Sequence, residues 1–230
     1  MTDRAWFDAA QRGDLEAVRE TLRDQRHLQI RDMDGQTALH LAARAGHAAV
    51  VALLLAHGAP PDVEDENGRT PLLLTAVKGH IAALGTLLDY GAVAGFRGGS
   101  DLTALDVAAF NGHVAAVELL VARGAAVNAG DTHGISALHG AAEGGGLQMV
   151  QRLVRLGADV RARSRHGWTP LHSAALGGDL DVIDFLVVEG ANAGATDDRG
   201  RSPADVAAEM GHPAAALLLA GRAGFLRRER

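Results

Sequence analysis

The feature of this sequence that most constrains its fold is an interval of 33 residues that recurs from residue 37 onward. Three sets of residues keep this interval: hydroxyl residues at Thr37, Thr70, Thr103, Ser136, Thr169 and Ser202, glycines at Gly46, Gly79, Gly112, Gly145, Gly178 and Gly211, and glycines at Gly58, Gly91, Gly124, Gly157 and Gly190. A constant period of this length is typical of proteins built from stacked structural repeats. In such an array each repeat buries its apolar face against the next one, so the period indicates architecture more directly than any local motif does.

One period, residues 32–64, reads as a turn followed by two short helices. Residues 32–35 (Asp-Met-Asp-Gly) indicate a turn, because Asp and Gly tolerate the backbone angles of tight turns. Thr37 stands where an N-cap hydroxyl is expected, Gly46 ends the first helix, and residues 48–56 form the second. Neither helix reaches the ~12–15 residues at which an isolated helix is marginally stable in water, so helix pairs must pack against one another.

Motifs at these positions resemble those of the ankyrin-repeat family. The family's Thr-Pro-Leu-His motif has counterparts at Thr37-Ala-Leu-His40, Thr70-Pro-Leu-Leu73, Ser136-Ala-Leu-His139 and Thr169-Pro-Leu-His172. Its Gly-His pair has counterparts at Gly46-His47, Gly79-His80, Gly112-His113 and Gly211-His212, and its Gly-Ala pair follows the second set of glycines. The resemblance covers nearly the whole chain. It implies an all-α solenoid of stacked helix-turn-helix units joined by β-hairpin-like turns.

The resemblance and the period together predict a single ankyrin-repeat domain over residues 1–230. We divide it into an N-terminal cap, five full repeats, a C-terminal cap repeat and a tail, over residues 1–31, 32–196, 197–223 and 224–230. Two repeats depart from the pattern. Asp101 stands where the other turns carry glycine, which predicts a looser turn, and Gly144-Gly-Gly146 predicts a locally weak interface, because glycine raises the entropy of the unfolded chain.

Composition and motifs argue against most chemical functions. The net charge of -6 argues against nucleic-acid binding, which requires a clustered basic excess. The chain has no cysteine, its N-terminus does not resemble a secretory signal, and its longest apolar run, residues 48–56, is too short to cross a bilayer. We therefore expect a cytoplasmic protein with no membrane contact. No nucleophile arrangement or phosphate-binding loop is recognisable, so we predict no catalytic, cofactor-binding or metal-binding residues.

The polar residues that could suggest a site have structural interpretations. The resemblance implies that the histidines of the two His-containing motifs hold turns and neighbouring repeats through hydrogen bonds. Carboxylates at Asp32, Asp65 and Asp197 are interpreted as turn-forming groups. Asn128 resembles an asparagine that is hydroxylated in some ankyrin repeats, but we interpret it as stabilising a turn. His166, at a turn tip equivalent to that of His133, is interpreted as contacting a partner rather than a metal ion.

In ankyrin arrays partners usually bind a concave face made of the turn tips and first helices, and the resemblance allows its exposed positions to be located by phase. The middle repeats place apolar residues at such positions: Tyr90, Leu102, Phe110, Ile135, Leu156, Trp168 and Leu176. Together with Arg165 and His166, these are the predicted partner-binding residues, because contiguous exposed apolar area usually marks an interface. The alternative for each one is that its side chain packs against a neighbouring repeat. Acidic residues in the first repeats and arginines in the last would orient a partner of opposite polarity.

We therefore predict a non-enzymatic protein-interaction module that binds a partner protein on this concave face, as an adaptor, scaffold or inhibitor. We expect a monomer that binds no nucleic acid. Two alternatives remain at this stage. The scaffold could carry an enzyme or small-molecule site, which would require convergent polar groups in one pocket. The apolar stripe could instead be the surface of a self-associating structural protein.

Overall fold

A computed structural model of the chain describes residues 2–23, 25–99 and 101–228. Met1 and Asp24 of the predicted N-terminal cap, Ser100 of the third turn, and Glu229 and Arg230 of the predicted tail lie outside the described residues.

Helices in this part of the chain come in pairs, with one pair for the N-terminal cap and one for each predicted repeat. They are α1 (Asp3–Arg12), α2 (Leu15–Thr21), α3 (Ala38–Ala45), α4 (Ala48–Ala56), α5 (Pro71–Lys78), α6 (Ile81–Asp89), α7 (Ala104–Phe110), α8 (Val114–Ala122), α9 (Ala137–Gly140), α10 (Gly146–Arg155), α11 (Pro170–Gly177), α12 (Leu180–Val188), α13 (Pro203–Glu209) and α14 (Pro213–Arg228). A short 3-10 helix spans Gln25–Gln29, and one isolated antiparallel bridge joins Gly130 to Ser136. The predicted all-α repeat fold is confirmed.

Five of the turns before helix pairs, all but the third, are each organised by one side chain that accepts two backbone hydrogen bonds. The Asp65 carboxylate accepts from the backbone N–H groups of Asn67 and Arg69, both at 2.9 Å. Burial alone would raise the pKa of Asp65, but these bonds and the Arg69 guanidinium lower it overall. Equivalent residues organise four more turns: Asp32, Asp131, Ser164 and Asp197. The interpretation of these carboxylates as turn-forming groups is confirmed.

The histidines of the Thr-Pro-Leu-His motif join each repeat to the next. His40 Nδ1 accepts a hydrogen bond from the backbone N–H of Thr37 at 3.1 Å, and His40 Nε2 lies 3.1 Å from the carbonyl oxygen of Arg69 in the following turn. His139 and His172 repeat this geometry. The structural interpretation of these histidines is confirmed. Buried imidazoles of this kind satisfy backbone groups that would otherwise lack partners.

The structure divides into two compact units, Met1–Ala108 with Ala115–Ala125 and Ala109–Val114 with Ala126–Arg230, which are described separately. In the first unit α1, α3 and α5 pack in one layer, and α2, α4 and α6 pack in another. In the second unit α11 packs against α13, and α12 packs against both α10 and α14. Fully buried leucines and alanines fill the space between successive pairs in both units. Packing between pairs supplies the apolar burial that short isolated helices lack.

The third turn, whose sequence departs from the repeat pattern, also has an unusual backbone. Asp101 has φ 55°, whereas glycines occupy the equivalent position in the other turns, for example Gly35 with φ 71°. Non-glycine residues are disfavoured in this left-handed region, although Asp is among the better tolerated. The Arg97 guanidinium donates to the Asp101 carbonyl oxygen and lies 3.7 Å from the Asp101 carboxylate. Arg97 thus holds a turn that lacks the usual glycine.

The fourth repeat departs further, because its first helix is interrupted. Helix α9 ends at Gly140, and a π-helical turn follows over Ala141–Gly145. The sequence period assigns the helix-ending position to Gly145, but in the structure the residue that ends the π turn is Gly146, since a π turn accommodates one residue more than an α turn. Gly146 has φ 73° and ψ 167°, so it shares the positive φ of the glycines that end α3 and α11 but not their ψ of 16° and 8°.

Candidate protein-binding surface

The predicted partner-binding residues occupy three kinds of position in the repeat. Some lie in the turns: Leu102, Ile135, Arg165, His166 and Trp168. Others lie at the C-terminal ends of first helices: Phe110 and Leu176. The rest lie at the ends of second helices: Tyr90 and Leu156. We call the surface of the turns and first helices the inner face. Tyr90 and Leu156 directly follow second helices, and these helices do not form the inner face.

In the first unit, Leu102 and Tyr90 are both exposed. Leu102 is 43% exposed directly after the Asp101 turn, and Tyr90 is 47% exposed where α6 ends. A residue outside the predicted set is more accessible than either: Met33, at the tip of the first turn, is 96% exposed. Met33 occupies one of the exposed positions of the repeat, so the sequence alone could have identified it as a candidate contact residue. An unbranched, polarisable methionine at a turn tip adapts readily to an apolar partner surface.

Trp168 in the second unit is engaged by its own repeat and the next one. Its indole N–H donates to the Ser173 hydroxyl at 3.0 Å, and its ring lies 5.1 Å from the His172 ring. The Arg201 guanidinium lies 5.7 Å from the ring centroid, within the range of a cation–π contact. Trp168 is therefore half-buried, as is Ile135 at the equivalent position one repeat earlier. Both side chains are therefore only partly accessible to a partner.

Arg165 and His166 lie at an exposed turn tip that is tied to its neighbours through the backbone. The Arg165 N–H donates to the His133 carbonyl oxygen at 2.7 Å, and the Asp198 N–H donates to the His166 carbonyl oxygen at 3.0 Å. The His166 ring lies 3.5 Å from the Asp198 carboxylate. The Arg165 guanidinium makes no hydrogen bond or ion pair within the described residues. The backbone of these tips is thus fixed while the Arg165 charge stays available.

Most of the other arginines in the last repeats have structural partners. Arg161 donates to the Gly190 carbonyl oxygen and Arg163 to the Thr196 carbonyl oxygen, both at 2.9 Å. Arg201 pairs with Asp197 and Glu209, also at 2.9 Å. The cationic end of the predicted charge gradient is therefore carried chiefly by Arg165 and Arg199, which are exposed and have no such partner within the described residues.

Among the apolar residues of the second unit that were predicted to bind a partner, Phe110 is the most exposed. It is 49% exposed at the end of α7, and its ring lies over glycines of the fourth repeat. A Cβ atom on Gly144 would lie 3.2 Å from Phe110 Cε2, and one on Gly140 would lie 3.7 Å from Phe110 Cβ. Gly140 was not singled out from the sequence. A Cβ atom there would make an ordinary van der Waals contact, whereas one on Gly144 would crowd the ring.

The end of α11 repeats this close approach. A Cβ atom on Gly177 would lie only 2.6 Å from the carbonyl oxygen of Glu143, so glycine is required for the two first helices to pack this closely. Leu176, directly before it, is half-buried. Phe110, the glycines that it packs against (Gly140 and Gly144) and Leu176 thus form successive parts of the inner face of the second unit.

Asn128 has the structural role that was expected of it. Its side-chain amide donates to the Gly157 carbonyl oxygen at 2.9 Å, and its side-chain oxygen accepts from the Asp159 N–H at 2.9 Å. The interpretation of Asn128 as a turn-stabilising residue is confirmed. In the part of the chain that the structure describes, no helix is both long and apolar enough to span a membrane.

Comparison with known proteins supports the same architecture. The chain is similar to the ankyrin repeat domain of human ASB11, with 28% identity and a TM-score of 0.83 over 93% of this chain and 96% of that one. It is also similar to the ankyrin repeat domain of Bcl-3, described as a unique member of the IkappaB protein family, with 34% identity and a TM-score of 0.76 over 87% of this chain and 92% of that one.

Among curated proteins, the mouse 60 kDa lysophospholipase is 50% identical over 50 residues, which are 22% of this chain and 9% of that protein. A family model for ankyrin repeats in three copies matches residues 6–97, 67–131, 94–164 and 138–225. These overlapping matches extend from the N-terminal cap to the last helix pair, and the chain accordingly belongs to the ankyrin-repeat family.

Proposed function

We propose that this chain is a non-enzymatic protein-interaction module that binds a partner protein through the concave inner face. The observation that carries the proposal is the exposed Phe110 ring, seated on a floor of glycines between neighbouring repeats. Aromatic residues are 3% of the chain, and one of them is held half-exposed on the face that ankyrin repeats generally use for protein partners. Rigid, partly exposed aromatic side chains are typical anchors of protein interfaces.

The proposed contact residues of the second unit are Phe110, Ile135, Leu156, Arg165, His166, Trp168 and Leu176. Those of the first unit are Tyr90 and Leu102. The half-buried members supply fixed apolar edges, and Arg165 supplies a charge that a partner can pair. The role would be that of an adaptor, scaffold or inhibitor, and the protein would act as a monomer in the cytoplasm.

The short match to the lysophospholipase gives little support to an enzymatic alternative. Its 50 residues correspond to about one and a half periods of the repeat. Two ankyrin-repeat segments of that length share the turn glycines, the helix-capping hydroxyls and the buried leucines regardless of what else each protein contains. The match is therefore accounted for by the repeat itself.

The test is affinity capture from a lysate of the native host, with variants on two faces of the same protein. Phe110→Ala with Leu176→Ala alters the inner face, whereas Val188→Ala with Leu217→Ala removes side chains that are 69% and 75% exposed on second helices. We expect the inner-face pair to lose a captured protein by at least tenfold, and the second-helix pair to retain it. Circular dichroism checks folding, and light scattering reports self-association. Loss on the second-helix pair alone would contradict the proposal.

A further inference from the structure

The half-exposed Phe110 ring packs on Gly144, and the residue directly before Gly144 in the chain carries a carboxylate with no partner in the described residues. Glu143 lies 33 residues after Phe110, at the equivalent position on the next first helix, within the π turn. Its side chain is exposed and makes no hydrogen bond or ion pair within the described residues. By contrast, Glu209, two repeats further along, pairs with Arg201 at 2.9 Å.

The positions of both groups are fixed by backbone packing. The Phe110 ring rests on Gly144, where a Cβ atom would lie 3.2 Å from Cε2 and 3.4 Å from Cζ. The Glu143 carbonyl oxygen would lie 2.6 Å from a Cβ atom on Gly177, so this segment is held from its other side as well. The Phe110 side chain is therefore held against Gly144 while 49% of it stays exposed, and the Glu143 carboxylate is attached to backbone that packing holds in place. A partner would not have to pay the full entropic cost of ordering them.

The chemistry of this pair selects what can cover it. An apolar side chain alone would remove Glu143 from water without a partner, which is costly for an ionised carboxylate. An acidic side chain would be repelled. A cation satisfies both groups, because the face of an aromatic ring attracts positive charge and the carboxylate accepts its hydrogen bonds. Arginine suits the pair better than lysine, since a planar guanidinium can stack on a ring and donate bidentate hydrogen bonds at its edge.

We propose that the partner inserts an arginine between Phe110 and Glu143, on a segment whose neighbouring apolar side chain packs against Leu176. This rests on the proposed function, and it specifies the chemistry of the partner at the inner face. The charges of the second unit agree with it. Unpaired cations lie at the turn tips, at Arg165 and Arg199, while the free carboxylate lies at the end of the first helices. A partner segment that crosses this face therefore places its basic residue near the ends of the first helices, where Glu143 lies.

The probe is a random dodecapeptide library displayed on phage and selected on the full-length chain. Recovered peptides are synthesised with arginine or with citrulline, a neutral isostere, and titrated by fluorescence anisotropy. We expect each citrulline peptide to bind the wild type about ten- to a hundredfold more weakly. In the Glu143→Gln variant, most of the difference in affinity between the arginine and citrulline peptides should disappear. Phe110→Leu should reduce this difference to a similar extent. Glu189→Gln, which alters an exposed, unpaired carboxylate at the end of α12, is the matched control and should change nothing.

The outcomes separate the two proposals. Peptides that depend on Phe110 and Leu176 but bind Glu143→Gln and wild type equally would overturn the arginine site and leave the inner face as the binding surface. Peptides unaffected by Phe110→Leu and by Leu176→Ala would contradict both. A selection that recovers no arginine-containing peptide sensitive to Glu143→Gln also counts against the arginine site.

Discussion

The buried histidines His40, His139 and His172 should make this protein less stable as the pH falls below about 6.5. In each, Nδ1 accepts a backbone N–H at 3.1 Å, so the proton of the neutral ring is on Nε2. Nε2 then donates to a carbonyl oxygen of the next turn at 3.1 to 3.2 Å. A second proton on Nδ1 would face an N–H donor. Burial is the largest influence, and it lowers the pKa of all three.

The sign and size follow from proton linkage. Because the pKa of each histidine is lower in the folded chain than the unfolded value of about 6.5, the unfolded chain binds more protons between the two values. The stabilisation is complete above about pH 6.5 and is lost as the pH falls towards the folded pKa. Each histidine contributes at most about 1.4 kcal/mol per pH unit in that window, or about 4 kcal/mol for all three. Asp65, Asp131 and Asp197 attract the proton and moderate this loss.

Urea unfolding followed by circular dichroism between about pH 8 and pH 5 measures this slope. The variants His40→Gln, His139→Gln and His172→Gln keep an acceptor and a donor on the side chain but cannot titrate. Each should reduce the slope by about a third, and the triple variant should remove most of it. His57→Gln, at an exposed histidine, is the control for the substitution itself. If the triple variant retained the wild-type slope, the assignment of the acid sensitivity to these rings would be refuted.

Four further variants test the packing by their free energies of unfolding. Gly200→Ala should cost about 1 kcal/mol, because φ is 77° but no atom lies within 4 Å of the new Cβ. Gly178→Ala should cost clearly more, because its Cβ would lie 2.6 Å from His212 Cγ, and equal losses at the two glycines would contradict this. Trp168→Phe should cost about 1 kcal/mol through the lost indole hydrogen bond. Asn128→Ala should cost about 1–2 kcal/mol, since two hydrogen bonds to the next repeat disappear, and an unchanged stability would mean that water replaces them.

The repeat period predicts most of the fold because each of its fixed residues has one structural task. Thr70 accepts the Leu73 N–H at 3.2 Å as the N-cap of α5, and Gly79, with φ 70°, ends that helix. The same tasks recur one period later, so a pattern in sequence becomes a pattern in space. Short helices that satisfy their ends in the same way and bury leucines at the same phase have few alternative arrangements.

The register of the fourth repeat could not be predicted in this way. Gly145 and Gly146 are adjacent, and either one can adopt the backbone that ends a helix, so the sequence period does not choose between them. The π turn depends on contacts from two other helices, those of Phe110 over Gly144 and of Gly177 beneath Glu143. The seat of the Phe110 ring, which carries the proposed site, therefore became visible only with the structure.

The side chain at the position after the turn has a partner within its own turn in two repeats. At the position after the turn, Arg69 and Arg201 pair with the carboxylates of Asp65 and Asp197 that organise their own turns. Trp168 replaces the arginine in the fifth repeat, and Ser164 replaces the carboxylate there.

Since a buried carboxylate without its cation is destabilising, the two differences are consistent with each other. The serine still accepts the backbone N–H groups of the turn, at 3.1 and 3.2 Å, so the fold is retained while the side chain facing solvent changes from cation to indole. The residues that stabilise the repeat fold stay the same from one repeat to the next. A partner can therefore distinguish this array from another one only at positions where the side chain changes and the structural role is kept.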